Sequence, residues 1–247
     1  MELRALVLLA ACSGAKPHAV DDAVRGSAVA PPPAVADAAV APIAATGTGD
    51  AAIHVIWKNV PVGDRGSPGR TPCNTPRGPS VAPTTTWGIP DAFVIIDRGG
   101  APGGEAPLVL ADCALAPRAI AAGSLVVASH VVRPAQLALR ERGTPAALVD
   151  GTAVPIALPL AGHAVRVPLV AGKAYELAAG DETAWILADR ALVTDATGTA
   201  TWRDLASGVH QVTAWLPPRA GRPAKLAHGE VTITAGVLAD ATIELAP

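Results

Sequence analysis

Large side chains are scarce in this chain. Five Trp, one Phe and one Tyr make up 3% of its 247 residues, so any core rests on few anchors. The 50% hydrophobic fraction does not offset this, because much of it is alanine, which buries little area. Methionine occurs only as Met1, and no cysteine follows Cys113. Lysine is rare too: of 19 basic residues, 15 are Arg and four are Lys, and the net charge is −2 with no basic cluster. That balance gives no electrostatic footprint for nucleic acid. No run reaches the roughly 20 apolar residues of a membrane-spanning helix. There is no Gly-x-Ser-x-Gly elbow, no His-Glu-x-x-His, no phosphate loop and no dinucleotide fingerprint. The expectation is a noncatalytic chain without a cofactor. What it does have is glycine and proline, 24 of each, which favour turns and strand boundaries over long helices.

The N-terminus reads as an export signal. Met1-Glu-Leu-Arg4 precedes a short apolar run, Ala5–Ala11, and then Cys12, an order of charge, apolar stretch and small residues typical of such signals. Leu9-Ala-Ala-Cys12 resembles the bacterial lipobox, which implies lipidation of Cys12 and removal of the residues before it. Two or three acyl chains hold a protein stably to a membrane where one is marginal. Ser13 after the cysteine implies, by the same resemblance, the outer membrane. The expected location is therefore the cell envelope, facing the periplasm or the surface. Residues 13–50 are rich in Ala, Pro and Gly and carry no aromatic residue. They bury too little to offset their ordering entropy and read as a disordered tether.

From residue 51 onward the pattern is all-β. Ile53–Trp57, Ala92–Ile96, Leu108–Leu110, Gly123–Ala128, Ala135–Leu139, Ala164–Leu169 and Ala174–Leu177 are short apolar or alternating runs separated by turn residues. Such spacing predicts a β-sandwich or barrel. With Cys12 assigned to lipid, Cys73 and Cys113 remain, and in an exported protein the pair is expected to form a disulfide.

Asp91–Ile96, Asp112–Pro117, Ala122–Val127, Ala157–Gly162 and Ala171–Tyr175, with the Pro/Gly loop around Cys73, resemble cupredoxin-like proteins related to plastocyanin across residues 51–189. The resemblance implies a copper site, and the chain departs from it there. The family's first histidine falls near Arg133, its cysteine at Ala179 or Gly180, and its second histidine at Glu182 or Thr183. Its methionine falls at Ile186, while Trp185 matches a tryptophan often found there. Blue copper needs a thiolate, two imidazoles and a weak axial ligand, so the resemblance is to a degenerate member. Among the six histidines, His130 at a strand end and His163 in a glycine turn are the only candidates for a metal site with unusual ligands.

Residues 190–247 read as a second β-sandwich. Val193-Thr-Asp-Ala-Thr-Gly198 is a turn, and Thr199–Arg203 a strand with Ala200 and Trp202 on one face. Val209–Trp215, Glu230–Thr234 and Leu238–Leu245 continue the pattern. Thr194, Asp195, Gly198, Leu205, Gly208 and Gly236 resemble the pattern of the carboxypeptidase regulatory-like (prealbumin-like) domain, which implies a noncatalytic module. The glycines stand where turns need a positive φ. Trp87, Trp185 and Trp215 are candidates for a sugar-stacking face, against a competing reading as core. Asp181, Glu182 and Asp189 read as a solvated loop.

The reading is thus all-β: a signal peptide with lipidated Cys12 (1–12), a tether (13–50), a cupredoxin-like sandwich without copper ligands (51–189) and a carboxypeptidase regulatory-like sandwich (190–247). The expected function is a noncatalytic binding or structural accessory lipoprotein. Its partners are the membrane, through the lipid, and an envelope protein or glycan. The alternatives are copper handling with atypical ligands and carbohydrate binding.

Overall fold

The computed structural model describes residues 47–65, 69–71, 73–74, 76–77, 81, 83–97, 103–219 and 221–246. The signal peptide, Cys12 and nearly all of the expected tether lie outside the described residues. The fold is all-β and sandwich-like. In chain order, β1 (Thr48–Ile56) is followed by a single helical turn, α1 (Val62–Arg65). The two-residue strands β2 (Gly69–Arg70) and β3 (Pro76–Arg77) and then β4 (Phe93–Ile96) come next. There follow β5 (Glu105–Ala111), β6 (Ala114–Ala116), β7 (Ala119–Ala121), β8 (Ser124–Ser129) and β9 (Ala135–Glu141). After the small hairpin of β10 (Gly143–Thr144) and β11 (Ala147–Leu148) come β12 (Ala153–Leu158), β13 (Ala164–Pro168), β14 (Ala174–Ala179) and β15 (Glu182–Leu187). The last are β16 (Ala191–Val193), β17 (Thr199–Ala206), β18 (Gly208–Leu216), β19 (Lys225–Ile233) and β20 (Leu238–Glu244).

These strands are shared between two pairs of facing sheets. One pair has the orders β17-β1-β20 and β16-β4-β18-β19, and the other β13-β8-β5-β6 and β12-β9-β14-β15-β7. The first sandwich therefore takes strands from both ends of the described chain. β1 lies between β17, antiparallel, and β20, parallel. β4 lies between β16 and β18, antiparallel to both. The second sandwich is formed entirely by residues 105–187, between β4 and β16. The boundary expected at 189/190 is thus corrected: β1 and β4 pair with the C-terminal strands and not with the strands that follow them. The expected start at residue 51 also moves, because Thr48–Asp50 already belong to β1.

The burial patterns explain why each strand sits where it does. β1 has five fully or nearly fully buried positions, and β4 reads Phe-Val-Ile-Ile with only Ile95 less than buried, as expected for strands flanked on both sides. The core of the outer sandwich joins Ile53, Val55, Val94, Ile96, Trp202, Val212, Val231 and Ile243 from its two sheets. The inserted sandwich has its own core, with Leu108, Leu125 and Val127 facing Leu139, Leu158, Leu177 and Ile186. A third cluster lies between the two sandwiches. Phe93 and Trp215 from β4 and β18 meet Ala119, Ala174, Trp185 and Leu187. The Phe93 and Trp215 rings stack with centroids 5.1 Å apart, and Trp185 meets Trp215 edge-on at 5.7 Å. Three of the chain's seven aromatic residues are spent on this junction. Consistent with that seam, the described residues form one compact unit.

Candidate functional site

One end of the outer sandwich carries a cavity of about 200 Å³, lined by Trp57, Asp64 and Val81 and by Leu216, Pro217, Arg219, Arg222, Pro223 and Lys225. Two connections build it. The β1–β4 connection supplies Trp57, directly after β1, Asp64 on α1, and Val81, whose amide donates to the Arg65 carbonyl (2.9 Å). The β18–β19 connection supplies Pro217, Arg219, Arg222 and Pro223, and Lys225 opens β19. This second connection closes on itself, with the Arg222 amide donating to the Arg219 carbonyl (2.9 Å) and Gly221 at φ 73°. The prolines and the turn hold three basic side chains on one wall.

Each cation has a different role. Arg219 is largely buried; its Nη2 donates to the Asp91 carbonyl (3.1 Å), and its Nη1 lies 3.5 Å from the Asp91 carboxylate. Burial pushes its guanidinium below the ordinary arginine value, with Asp91 opposing and Arg118 of the inserted sandwich adding to the lowering. An arginine so placed stays charged at neutral pH. Arg222 directs its Nε to the Gly63 carbonyl and to Asp64, both at 3.2 Å. Lys225 Nζ donates to the Ala246 carbonyl (2.7 Å) and sits 4.3 Å from the centroid of the Trp57 ring, a cation–π contact. Trp57 is 2% exposed, and its indole N–H is buried without a hydrogen-bond partner. Trp202 and Trp215 carry unpartnered indole N–H groups as well, but Trp57 alone of the three lines the cavity. A buried N–H without an acceptor costs roughly 1–3 kcal/mol.

The residues singled out from sequence fall elsewhere. Cys73 and Cys113 are disulfide-bonded with a Cα–Cα separation of 5.5 Å. The bond ties the β1–β4 connection to the β5–β6 turn, where Thr71 Oγ1 also lies 3.4 Å from the Asp112 carbonyl. Trp185 and Trp215 are corrected from candidate ligand-binding residues to core. They are 4% and 0% exposed and fill the seam between the sandwiches, because few other side chains are large enough to do so. Trp87 is partly exposed, at φ 64°. Glu182 is corrected from solvated to buried, at 2% exposure.

His130 and His163 are both exposed. They flank the hydrogen bond from the Gly162 amide to the Ser129 carbonyl (2.6 Å), so the backbone brings them to one rim. Among the described residues no three His, Cys, Asp or Glu side chains gather as a metal-binding group. The copper-site positions implied by resemblance do not fit copper either. Ala179 and Glu182 pair across the β14–β15 hairpin, Gly180 makes its turn at φ 61°, and Ile186 is fully buried in the core. That set offers no thiolate and no imidazole.

Comparison of the chain with protein-family models, with curated proteins and with solved structures gives no match.

Proposed function

We infer that the protein is a noncatalytic binding module of the bacterial cell envelope, held to the membrane by a lipid on Cys12, and that its ligand enters the cavity at Trp57. The observation that carries the binding reading is the convergence of Arg222 and of Lys225, set against the Trp57 ring, on one small concavity. The donor set supports binding and not turnover. Among the described residues the one carboxylate in the lining, Asp64, is tied to Arg222, and no hydroxyl, thiol or imidazole lines the cavity. The envelope part rests on the lipobox resemblance at Cys12 and on the Cys73–Cys113 disulfide, a bond characteristic of exported proteins. The degenerate cupredoxin-like and carboxypeptidase regulatory-like resemblances are in keeping with an accessory role and rest on the residues quoted for them.

Two measurements test this. Wild-type chain should fractionate with membranes and Cys12→Ser chain should not; retention of the variant would remove the anchor. A panel of saccharides, peptides, phosphates and carboxylates, followed by tryptophan fluorescence, should include a class giving a saturable change that Trp57→Phe abolishes. A panel with no such class would end the binding reading.

A further inference from the structure

The geometry points to an oxyanion site: the cavity takes a carboxylate or phosphate group carried by a small ligand. The inference rests on the reading of this cavity as the binding site and names what it binds.

Three observations favour an oxyanion over a neutral ligand. The first is the charge of the wall. Among the described residues Arg219, Arg222 and Lys225 stand against Asp64 in the lining and Asp91 beside Arg219, which leaves a positive charge in excess. The second is the state of the donors. Arg222 spends its Nε on Gly63 and Asp64, and its terminal amino groups have no hydrogen-bond partner among the described residues. Lys225 spends one N–H on the Ala246 carbonyl and keeps two. These are donors without an acceptor, brought together on one wall by the connection between β18 and β19. Guanidinium groups match carboxylate and phosphate oxygens with two parallel hydrogen bonds, and an ammonium adds a point charge.

The third observation excludes the commonest alternative. A neutral sugar is usually held by its apolar face stacking on an aromatic ring, but the Trp57 ring is almost wholly buried and carries Lys225 against it. The size agrees with a small group. At about 200 Å³ the cavity is below the roughly 300–1,000 Å³ of sites that swallow a drug-sized molecule. The anionic head would enter while the remainder of the ligand stays outside. Arg219, anchored to Asp91, contributes charge and not a donor.

The test uses the full chain, ¹⁵N-labelled and in detergent, with the Trp57 indole resonance assigned by its loss in Trp57→Phe. Sodium phosphate and sodium acetate are titrated separately, with sodium chloride at matched ionic strength as control. The expected result is a saturable shift of the Trp57 indole signal with phosphate, acetate or both, and none with chloride. Arg222→Gln and Lys225→Gln, both at partly exposed side chains, should each weaken the binding by about tenfold or more. A response to phosphate alone assigns a phosphoryl group, and to acetate alone a carboxylate. An equal response to chloride, or none to either oxyanion, overturns the inference. So does unchanged affinity in both variants. A neutral compound that binds in the fluorescence panel through Trp57, with both oxyanions silent, overturns the oxyanion inference while leaving the binding module intact.

Discussion

Thr194 does more for this fold than its size suggests. It is 3% exposed; its hydroxyl accepts from the Ala92 amide (2.9 Å) and donates to the Ile89 carbonyl (2.7 Å), fastening the start of β4 to the end of β16. Thr194→Val keeps the shape and strands both backbone groups, for an expected loss of about 2–4 kcal/mol in chemical denaturation. Next to it, Asp195 accepts from the Thr197 hydroxyl (2.6 Å), the Thr197 amide (2.8 Å) and the Thr199 amide (3.0 Å). These bonds, led by the Thr197 hydroxyl and helped by His54, hold its carboxyl below the ordinary value of 3.8. A carboxyl depressed on folding adds stability that is complete above its unfolded value and fades as pH falls through its folded value. Asp195→Asn should therefore flatten the acid end of the stability curve, and an unchanged curve would count against this role. The same turn needs Gly198, at φ 83°, whose added Cβ would lie 2.5 Å from the Ile89 amide nitrogen. Much of this was legible in the sequence: Thr194-Asp195-x-x-Gly198 was read as a turn, and Gly198, Gly208 and Gly236 all take positive φ. The tryptophans were not. Nothing local separates Trp57, at the end of a strand run, from Trp185 or Trp215, and which of them borders a cavity depends on partners more than a hundred residues away.

At the level of elements, the strands themselves were readable and their pairing was not. Alternation in Glu230–Thr234 and Leu238–Leu245 marks half-buried strands, and Val231, Ile233, Ile243 and Leu245 are buried as that pattern demands. The continuous apolar run at Ala92–Ile96 marks a strand covered on both sides, but not which strands cover it. β1 and β4 precede the inserted strands in sequence, so proximity along the chain pointed to the wrong neighbours. The seam that results is tested by Trp215→Ala. Removing a fully buried ring that contacts both Phe93 and Trp185 should cost about 3–5 kcal/mol. Thermal unfolding of this variant should also split into two transitions, one for each sandwich. A second link between the sandwiches is covalent. The Cys73–Cys113 bond closes a separation of 40 residues, worth about 4 kcal/mol on the chain-entropy account. Replacing both cysteines by serine should lower stability in chemical denaturation by an amount of that order.

Across the whole molecule, the chain leaves the outer sandwich after β4, builds a complete second sandwich, and returns through β16 beside the strand it left. Ile95 pairs with Ala191 and Phe93 with Val193, so the exit and the return are adjacent, as an insertion requires. The same arrangement places Trp57 and Asp64, from one end of the described chain, against Arg219, Arg222 and Lys225 from the other. The cavity therefore exists only when both ends of the outer sandwich are present. The most direct check is the amide spectrum of residues 190–247 expressed alone, beside that of the full chain. Without β1 and β4 the fragment lacks the strand partners of β16, β17 and β20 and one of the two partners of β18, so its signals should be narrowly dispersed and its amides unprotected from exchange. A dispersed, protected spectrum from that fragment would mean that the C-terminal strands form a sandwich by themselves, and would contradict the shared framework on which the cavity depends.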